Sequence, residues 1–488
     1  MIMLLQSLII SVLTGFFLIS LCWPSEMTGI RNLVLKGSLA VGIGFGFSSC
    51  AFFVWLSLVG PMRGLFVMTE LLLLAVLGAA WFYRTKQQVC RSAIPAELDS
   101  ESIAKFGILR ILSTGFYFAL GCSLVTFVIL SLQNPHGAWD AWTIWNLRAR
   151  FLFRGAQYWN DASLVYWFKP DYPLLVPATI ARSWMYIGND TVVVPIIVAL
   201  LFTFATIILT FSSVSIFRGN TQAFLGGLLL LGTPFFISHG ASQYADVPLG
   251  FYFVATISLL ALNGRAGDGH LLTLAGLTAG YSAWTKNEGL LFVVAVIAAF
   301  IVSILSRREW GSSLTDLLSF LAGLLPVLAV VAYFKIDFAP TNDLVQGQSL
   351  HDTLARVMDL SRYTAILEAF GRGFFYFGNW SHALSIPTLL ACYILLLGVH
   401  AGEQERPGIV MGALTLGFVL AGYFFIYLTT PHPLSWHLSD SLDRLLLQVW
   451  PSILFVYLTI VRAPESALRS ADATLSRAAL PERLIKAA

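Results

Sequence analysis

The chain has 488 residues, of which 57% are hydrophobic and 11% charged, and its net charge is +3. A soluble globular protein carries about 25% charged residues, so water cannot solvate this chain on all sides. No basic block with interleaved aromatics points to nucleic acid. The five cysteines, Cys22, Cys50, Cys90, Cys122 and Cys392, have neither metal-ligand spacing nor a disulfide pattern.

Uncharged runs near the ~20 residues that cross a bilayer recur along the chain. They cover roughly 1–22, 37–60, 64–83, 111–132, 191–217, 221–237, 247–262, 271–285, 289–305, 317–334, 383–399, 408–428 and 445–461. The first lacks a basic leader and reads as a retained helix. Backbone polar groups in hydrocarbon must pair within their own segment, and the runs lack the period-2 alternation of a membrane barrel. The expected fold is therefore an all-α polytopic membrane protein of about thirteen transmembrane helices.

Short connections set the orientation. Arg31, Lys36, Arg84, Lys86, Arg91, Lys105, Arg110, Arg218, Arg265, Arg307, Arg308 and Arg406 fall on one side, with Arg462, Arg469, Arg477, Arg483 and Lys486 in the tail. That side reads as cytoplasm. The opposite side then carries two long external loops, 133–190 and 336–382. In the first, WDAWTIWNLRARFLF spaces Trp139, Trp142 and Trp145 as an interfacial helix would, with its indoles at headgroup level.

Asp140, Lys169, Asp171, Asp246, Lys286, Glu288, Lys335, Asp337, His432, His437, Asp440, Asp443 and Arg444 all map to the outer face. Within the apolar runs the clearest ionisable residue is Glu70. Transporters place such charges along their pathways, so this distribution favours a surface site acting on a lipid-borne substrate.

The plan resembles that of the GT-C glycosyltransferases, which include protein O-mannosyltransferases and lipid A aminoarabinose transferases. An acidic residue follows a transmembrane helix at the start of a long external loop. FKPDYPLLVP, AWTKNEGLLF and SLDRLLLQVWP resemble, in order, the family's Pro-rich stretch, its lysine turn between short helices and its arginine-led last helix. The resemblance covers about 350 residues. It implies a seven-helix catalytic module at 111–382, preceded by three extra helices within 1–110 and followed by C-terminal helices and a basic tail at 383–488. The single Asp140 and the sequence Lys286-Asn287-Glu288-Gly289 depart from the family pattern, which leaves subfamily and acceptor open.

By this resemblance Asp140 is the catalytic base, against a bland role as a helix cap or partner of Arg148 or Arg150. A phosphate leaving group needs little protonation, so one base and cations for the phosphate replace the carboxylate pair of glycoside hydrolysis. Asp246 either caps a helix, ahead of Pro248, or orients substrate. Lys286 and Arg444 are candidate phosphate ligands, against snorkelling for each of them. Glu288, His437, Lys169 and Asp171 complete the candidate substrate-binding set. No cofactor motif stands out; a divalent metal on His136, Asp140, His239 and Asp246 is a secondary reading without diagnostic spacing.

The implied function is inverting transfer from a polyprenyl-phosphate sugar to a hydroxyl or phosphate of a lipid, glycan or protein acceptor. The implied place is the outer face of an inner (plasma) membrane. The alternatives are a lipid-linked sugar flippase or transporter, a lipid-linked glycan polymerase or ligase, and a non-enzymatic scaffold.

Overall fold

The computed structural model describes residues 2–89, 105–155, 158–159, 169–306, 310–342, 344, 346–380, 385–399, 402 and 405–466. Arg91, Arg307, Arg308, Arg469, Arg477, Arg483 and Lys486 of the topology argument lie outside the described residues. In chain order the helices are α1 (Ile2–Cys22), α2 (Ile30–Leu58), α3 (Arg63–Val89), α4 (Lys105–Gln133), a π-helical turn (Ala141–Trp145), α5 (Asn146–Arg154) and α6 (Leu175–Ile187). They continue with α7 (Val193–Arg218), α8 (Asn220–Leu231), α9 (Pro234–Ala241), α10 (Asp246–Ala266), α11 (Gly269–Thr285) and α12 (Asn287–Ser306). The last are α13 (Trp310–Asp337), α14 (Leu350–Met358), α15 (Leu360–Tyr376), α16 (Ile386–Leu397), α17 (Arg406–Thr429) and α18 (Leu434–Ile460).

The fold is an all-α polytopic membrane bundle. Among the described residues ten helices are long and apolar enough to cross a membrane, or eleven if the bent pair α8–α9 is one span. At 17 and 12 residues, α11 and α16 are short for a full crossing, so length alone does not reach thirteen. The 221–237 run was expected to be one helix, but it breaks by 63° between α8 and α9. The break falls at Gly232-Thr233-Pro234, where proline lacks the N–H that would continue the ladder.

Helix α10 is the central post. Every residue from Asp246 to Leu262 is buried, against α7, α11, α17 and α18. The pair α11 and α13 packs through small residues. A Cβ added to Gly276 would meet Phe320 O at 1.9 Å, and one on Gly323 would meet Thr273 O at 1.9 Å. Close backbone approach of this kind replaces the hydrophobic effect as the glue between helices in lipid.

Two features of the first loop differ from expectation. Its end is not an external strand of chain but the buried helix α6, in which Leu175 to Tyr186 are all covered. Thirteen residues are too few for a span, so its apolar sequence could be buried only against protein. The indoles also part company. Trp139 and Trp142 are exposed, whereas Trp145 is fully buried and stacks on Tyr172 with ring centroids 5.6 Å apart. The π-helical turn Ala141–Trp145 lies between them, and it brings Trp145 to the core while Trp139 stays outside.

Glu70 of α3 meets a partner the linear reading had left in the loop. Arg182 of α6 donates to both of its carboxylate oxygens, at 2.7 and 2.9 Å, and also to Ser7 O at 3.1 Å. Tyr186 donates to the same carboxylate at 2.5 Å. The pair ties α1 and α3 to α6. Glu70→Ala would strand Arg182, which is 1% exposed, and should cost about 3–5 kcal/mol, while Glu70→Met with Arg182→Met recovers most of it. Thermal unfolding in detergent checks this; equal losses in the single and double variants would deny the pair its role.

Candidate active site

The site forms where the first loop is stitched onto the turn before α10. Ala138 N donates to Ser242 O at 3.1 Å, Gln243 Nε2 to Pro135 O at 3.1 Å, and Asn146 Nδ2 to Gln243 Oε1 at 2.8 Å. Gly137 permits the approach: its φ is +76°, and a Cβ there would lie 2.7 Å from Ser242 O. Asp140 thereby comes beside Tyr244, whose hydroxyl accepts from the Asp140 N–H at 3.2 Å.

Asp246, fully buried, is the hub. Its Oδ1 accepts from Lys286 Nζ at 2.9 Å and from Gln448 Nε2 at 2.6 Å. Its Oδ2 accepts from Arg444 Nε at 3.2 Å, with Arg444 Nη2 also at 3.2 Å and His239 Nε2 at 3.1 Å. The same Arg444 Nη2 reaches Asp140 Oδ2 at 2.7 Å. Lys286 also pairs with Glu288 at 2.8 Å, and Arg444 lies over the Tyr244 ring. Three carboxylates thus enclose two cations. Both capping alternatives fail for these acids, since neither Asp140 nor Asp246 makes a side-chain cap hydrogen bond. Arg148 and Arg150, the other partners considered for Asp140, bond Pro170 O and Asp190 instead.

Lys286 holds its place because α11 and α12 meet in a tight turn. A Cβ on Gly289 would lie 1.9 Å from Ser282 O. Burial pulls the Lys286 ammonium down, but Asp246 and Glu288 outweigh it and leave the group above the ordinary lysine value. Its ion pairs therefore contribute fully at neutral pH, and that contribution is lost only as pH rises past this elevated value. Tyr172, beneath Lys286, is raised well above the ordinary tyrosine value by burial, then by Glu288 and Asp171, and stays a neutral phenol.

A second cluster backs the first. Asp171 Oδ2 accepts from Asn287 Nδ2 at 2.6 Å and from Asn342 Nδ2 at 2.7 Å. Lys335 Nζ donates to Asp171 O at 2.5 Å and to Asn287 Oδ1 at 2.7 Å. Arg148 donates to Tyr172 O and to Pro170 O, and burial pushes it down to about 10 with Asp171 opposing. Asn342 belongs to the second long loop, so both loops are fastened to the turn that carries Lys286.

Of the expected site residues, the structure gathers Asp140, Asp246, Lys286, Glu288 and Arg444 into one network and sets Asp171 behind it. Lys169 precedes this second cluster with φ at +45°, a left-handed conformation unusual for lysine. His437 lies seven residues before Arg444 on α18, bonded to Thr430 at 2.9 Å and packed on Tyr427. The four-residue metal set is not gathered around one point: the Arg444 guanidinium stands between Asp140 and Asp246, and His136 lies toward Arg150. Among the described residues no group of three or more His, Cys, Asp or Glu side chains is arranged to hold a metal ion.

The linear reading missed Gln448, Tyr244, Asn287 and Asn342. Gln448 did carry a signal, being polar within the apolar LLLQVWP and one helical turn after Arg444, hence on the same face. Residues 171–333 match the family model described as dolichyl-phosphate-mannose-protein mannosyltransferase. The match, over about a third of the chain, is to a family of the GT-C superfamily that the sequence resembles. The matched stretch includes Asp171, Asp246, Lys286 and Glu288; Asp140 and Arg444 lie outside it. No curated protein and no solved structure matches the chain.

Asp246→Ala would leave Lys286 and Arg444 without their shared counter-charge. Loss of a buried charge partner should cost about 3–5 kcal/mol, against about 1–3 for Gln448→Leu, which removes one donor to the carboxylate. Urea or thermal unfolding of the two variants should rank them in that order; the reverse ranking would remove Asp246 from the centre of the network.

Proposed function

We propose that the protein moves a sugar from a polyprenyl-phosphate donor to an acceptor hydroxyl or phosphate, with inversion, on the outer face of the plasma membrane. The observation that carries this reading is the network itself. Arg444, partly open, and Lys286, sealed beneath it, share the buried Asp246, and Asp140, as open as Arg444, touches the same guanidinium. A monophosphate at Arg444 keeps its prenyl tail in the bilayer and its sugar beside Asp140. Asp140 then takes the proton of the acceptor hydroxyl as that oxygen attacks the anomeric carbon. The bond from anomeric carbon to phosphate oxygen breaks, and its electron pair leaves with polyprenyl phosphate. Arg444 offsets the charge that grows on the phosphate, a role typically worth about 3–4 kcal/mol for one preorganised donor, while Lys286 holds Asp246 in place behind it.

The site residues sit at one end of the bundle, where α10 and α12 begin and α11 and α13 end. The basic short loops mark the other end as cytoplasmic. The three N-terminal helices, 1–110, then brace the catalytic module of 111–382 through Glu70 and Arg182.

Purified protein should transfer sugar from synthetic polyprenyl-phosphate sugars and not from the matching nucleotide sugars. Asp140→Asn should lower turnover on the order of 10²-fold or more. Arg444→Lys should retain partial activity, since the ammonium loses the bidentate fork. Transfer from a nucleotide sugar alone, or normal turnover by Asp140→Asn, would defeat the reading.

Orientation has its own check. In a background without native cysteines, a cysteine at the exposed Gln346 should react with an impermeant thiol reagent in intact cells with a permeable outer envelope. One at the exposed Ser25, between α1 and α2, should not. The opposite labelling pattern would put the site on the cytoplasmic side.

A further inference from the structure

We propose that Asp140 is a latch on the donor site as well as its base: it holds Arg444 until the donor phosphate takes the guanidinium, and only the displaced carboxylate then faces the acceptor. The inference rests on the donor reading above and adds how donor and acceptor chemistry are ordered.

Both cations of the network are already held by carboxylates, Lys286 by Asp246 and Glu288, and Arg444 by Asp246 and Asp140. A phosphate must take one cation from a carboxylate before it can bind. Accessibility decides which. The Lys286 side chain is 3% exposed and closed in by Asp246 and Glu288, whereas Arg444 is 19% exposed. Arg444 is therefore the cation that a ligand from the membrane surface meets.

Arg444 is held from two sides, and the sides are unequal. Asp246 is fully buried and keeps Lys286, Gln448 and His239 as well, so it cannot turn away without stranding them. Asp140 is 19% exposed and meets Arg444 through one oxygen, Oδ2, at 2.7 Å. Its backbone is fixed independently by Tyr244, so its side chain can swing while the residue stays in place. Phosphate oxygens reproduce what a carboxylate offers a guanidinium, and bind it bidentately. The exchange therefore swaps one charge-assisted contact for a better one. Until it occurs, the ion pair turns the Asp140 carboxylate toward Arg444 rather than toward the acceptor.

A carboxylate that competes with the ligand leaves a signature opposite to that of an ordinary binding residue. Polyprenyl phosphate, the leaving group without its sugar, is the probe, measured by equilibrium binding to the full-length protein in nanodiscs. Asp140→Asn and Asp140→Ala should bind it more tightly than wild type, on the order of tenfold, because the competitor and its repulsion are gone. Asp190→Asn also removes one negative charge from the first loop, but Asp190 pairs with Arg150 and Arg154 outside this network, and the change should alter affinity less than about twofold. Equal or weaker binding by the Asp140 variants, with wild type binding normally, overturns the latch. Equal tightening by Asp190→Asn overturns it too, since the effect would then be general charge removal. If no form binds polyprenyl phosphate, the donor reading falls and the latch with it.

Discussion

A single buried carboxylate sets the terms for this molecule. Asp246 opens the most enclosed of the candidate membrane spans among the described residues and has no access to solvent. A charge in that position is tolerated only with partners, and desolvation is severe enough that breaking such a set costs several kcal/mol. Lys286 from the α11–α12 turn and Arg444 and Gln448 from α18 satisfy it. Three distant parts of the chain are thereby drawn to one point. The two cations could not lie this close without the anion between them.

Around this point the loops are fastened rather than free. The first is stitched to the turn before α10 through Gln243, Asn146 and Ser242, and the second reaches Asp171 through Asn342. Asp171, Lys335 and Asn287 hold the turn that carries Lys286 from behind. Such support matters for transfer chemistry, because electrostatic stabilisation works when donors are already aimed before charge develops. The arrangement leaves Asp140 as the acid of the network whose backbone is anchored while its carboxylate borders the opening.

Much of this was legible in the linear chain, and the reasons for the rest are physical. The apolar runs declared the membrane bundle because hydrocarbon forbids any other use of them. Asp140, Asp246, Lys286, Glu288 and Arg444 stood out as charges at the ends of apolar runs. The end of the first loop did not declare itself: a 13-residue apolar helix looks like loop when length is the test, and only its burial against α1, α2 and α5 identifies α6. Arg182 was hidden with it. Trp145 was grouped with Trp139 and Trp142 by spacing, but the π-helical turn between Trp139 and Trp145 brings it into the core.

What the sequence determined by itself was the solvent and the edges: which segments lie in lipid, and which charged residues sit at their ends. Both follow from local composition, since the cost of a charge or an unpaired amide in hydrocarbon is paid segment by segment. What only the tertiary structure decided was which of those charges meet. Pairing between Asp140 and Arg444, or Glu70 and Arg182, spans hundreds of residues or joins a helix to a supposed loop. It depends on the packing of α10, α11 and α18 and on the stitching of the first loop, and no local pattern encodes a distance between helices.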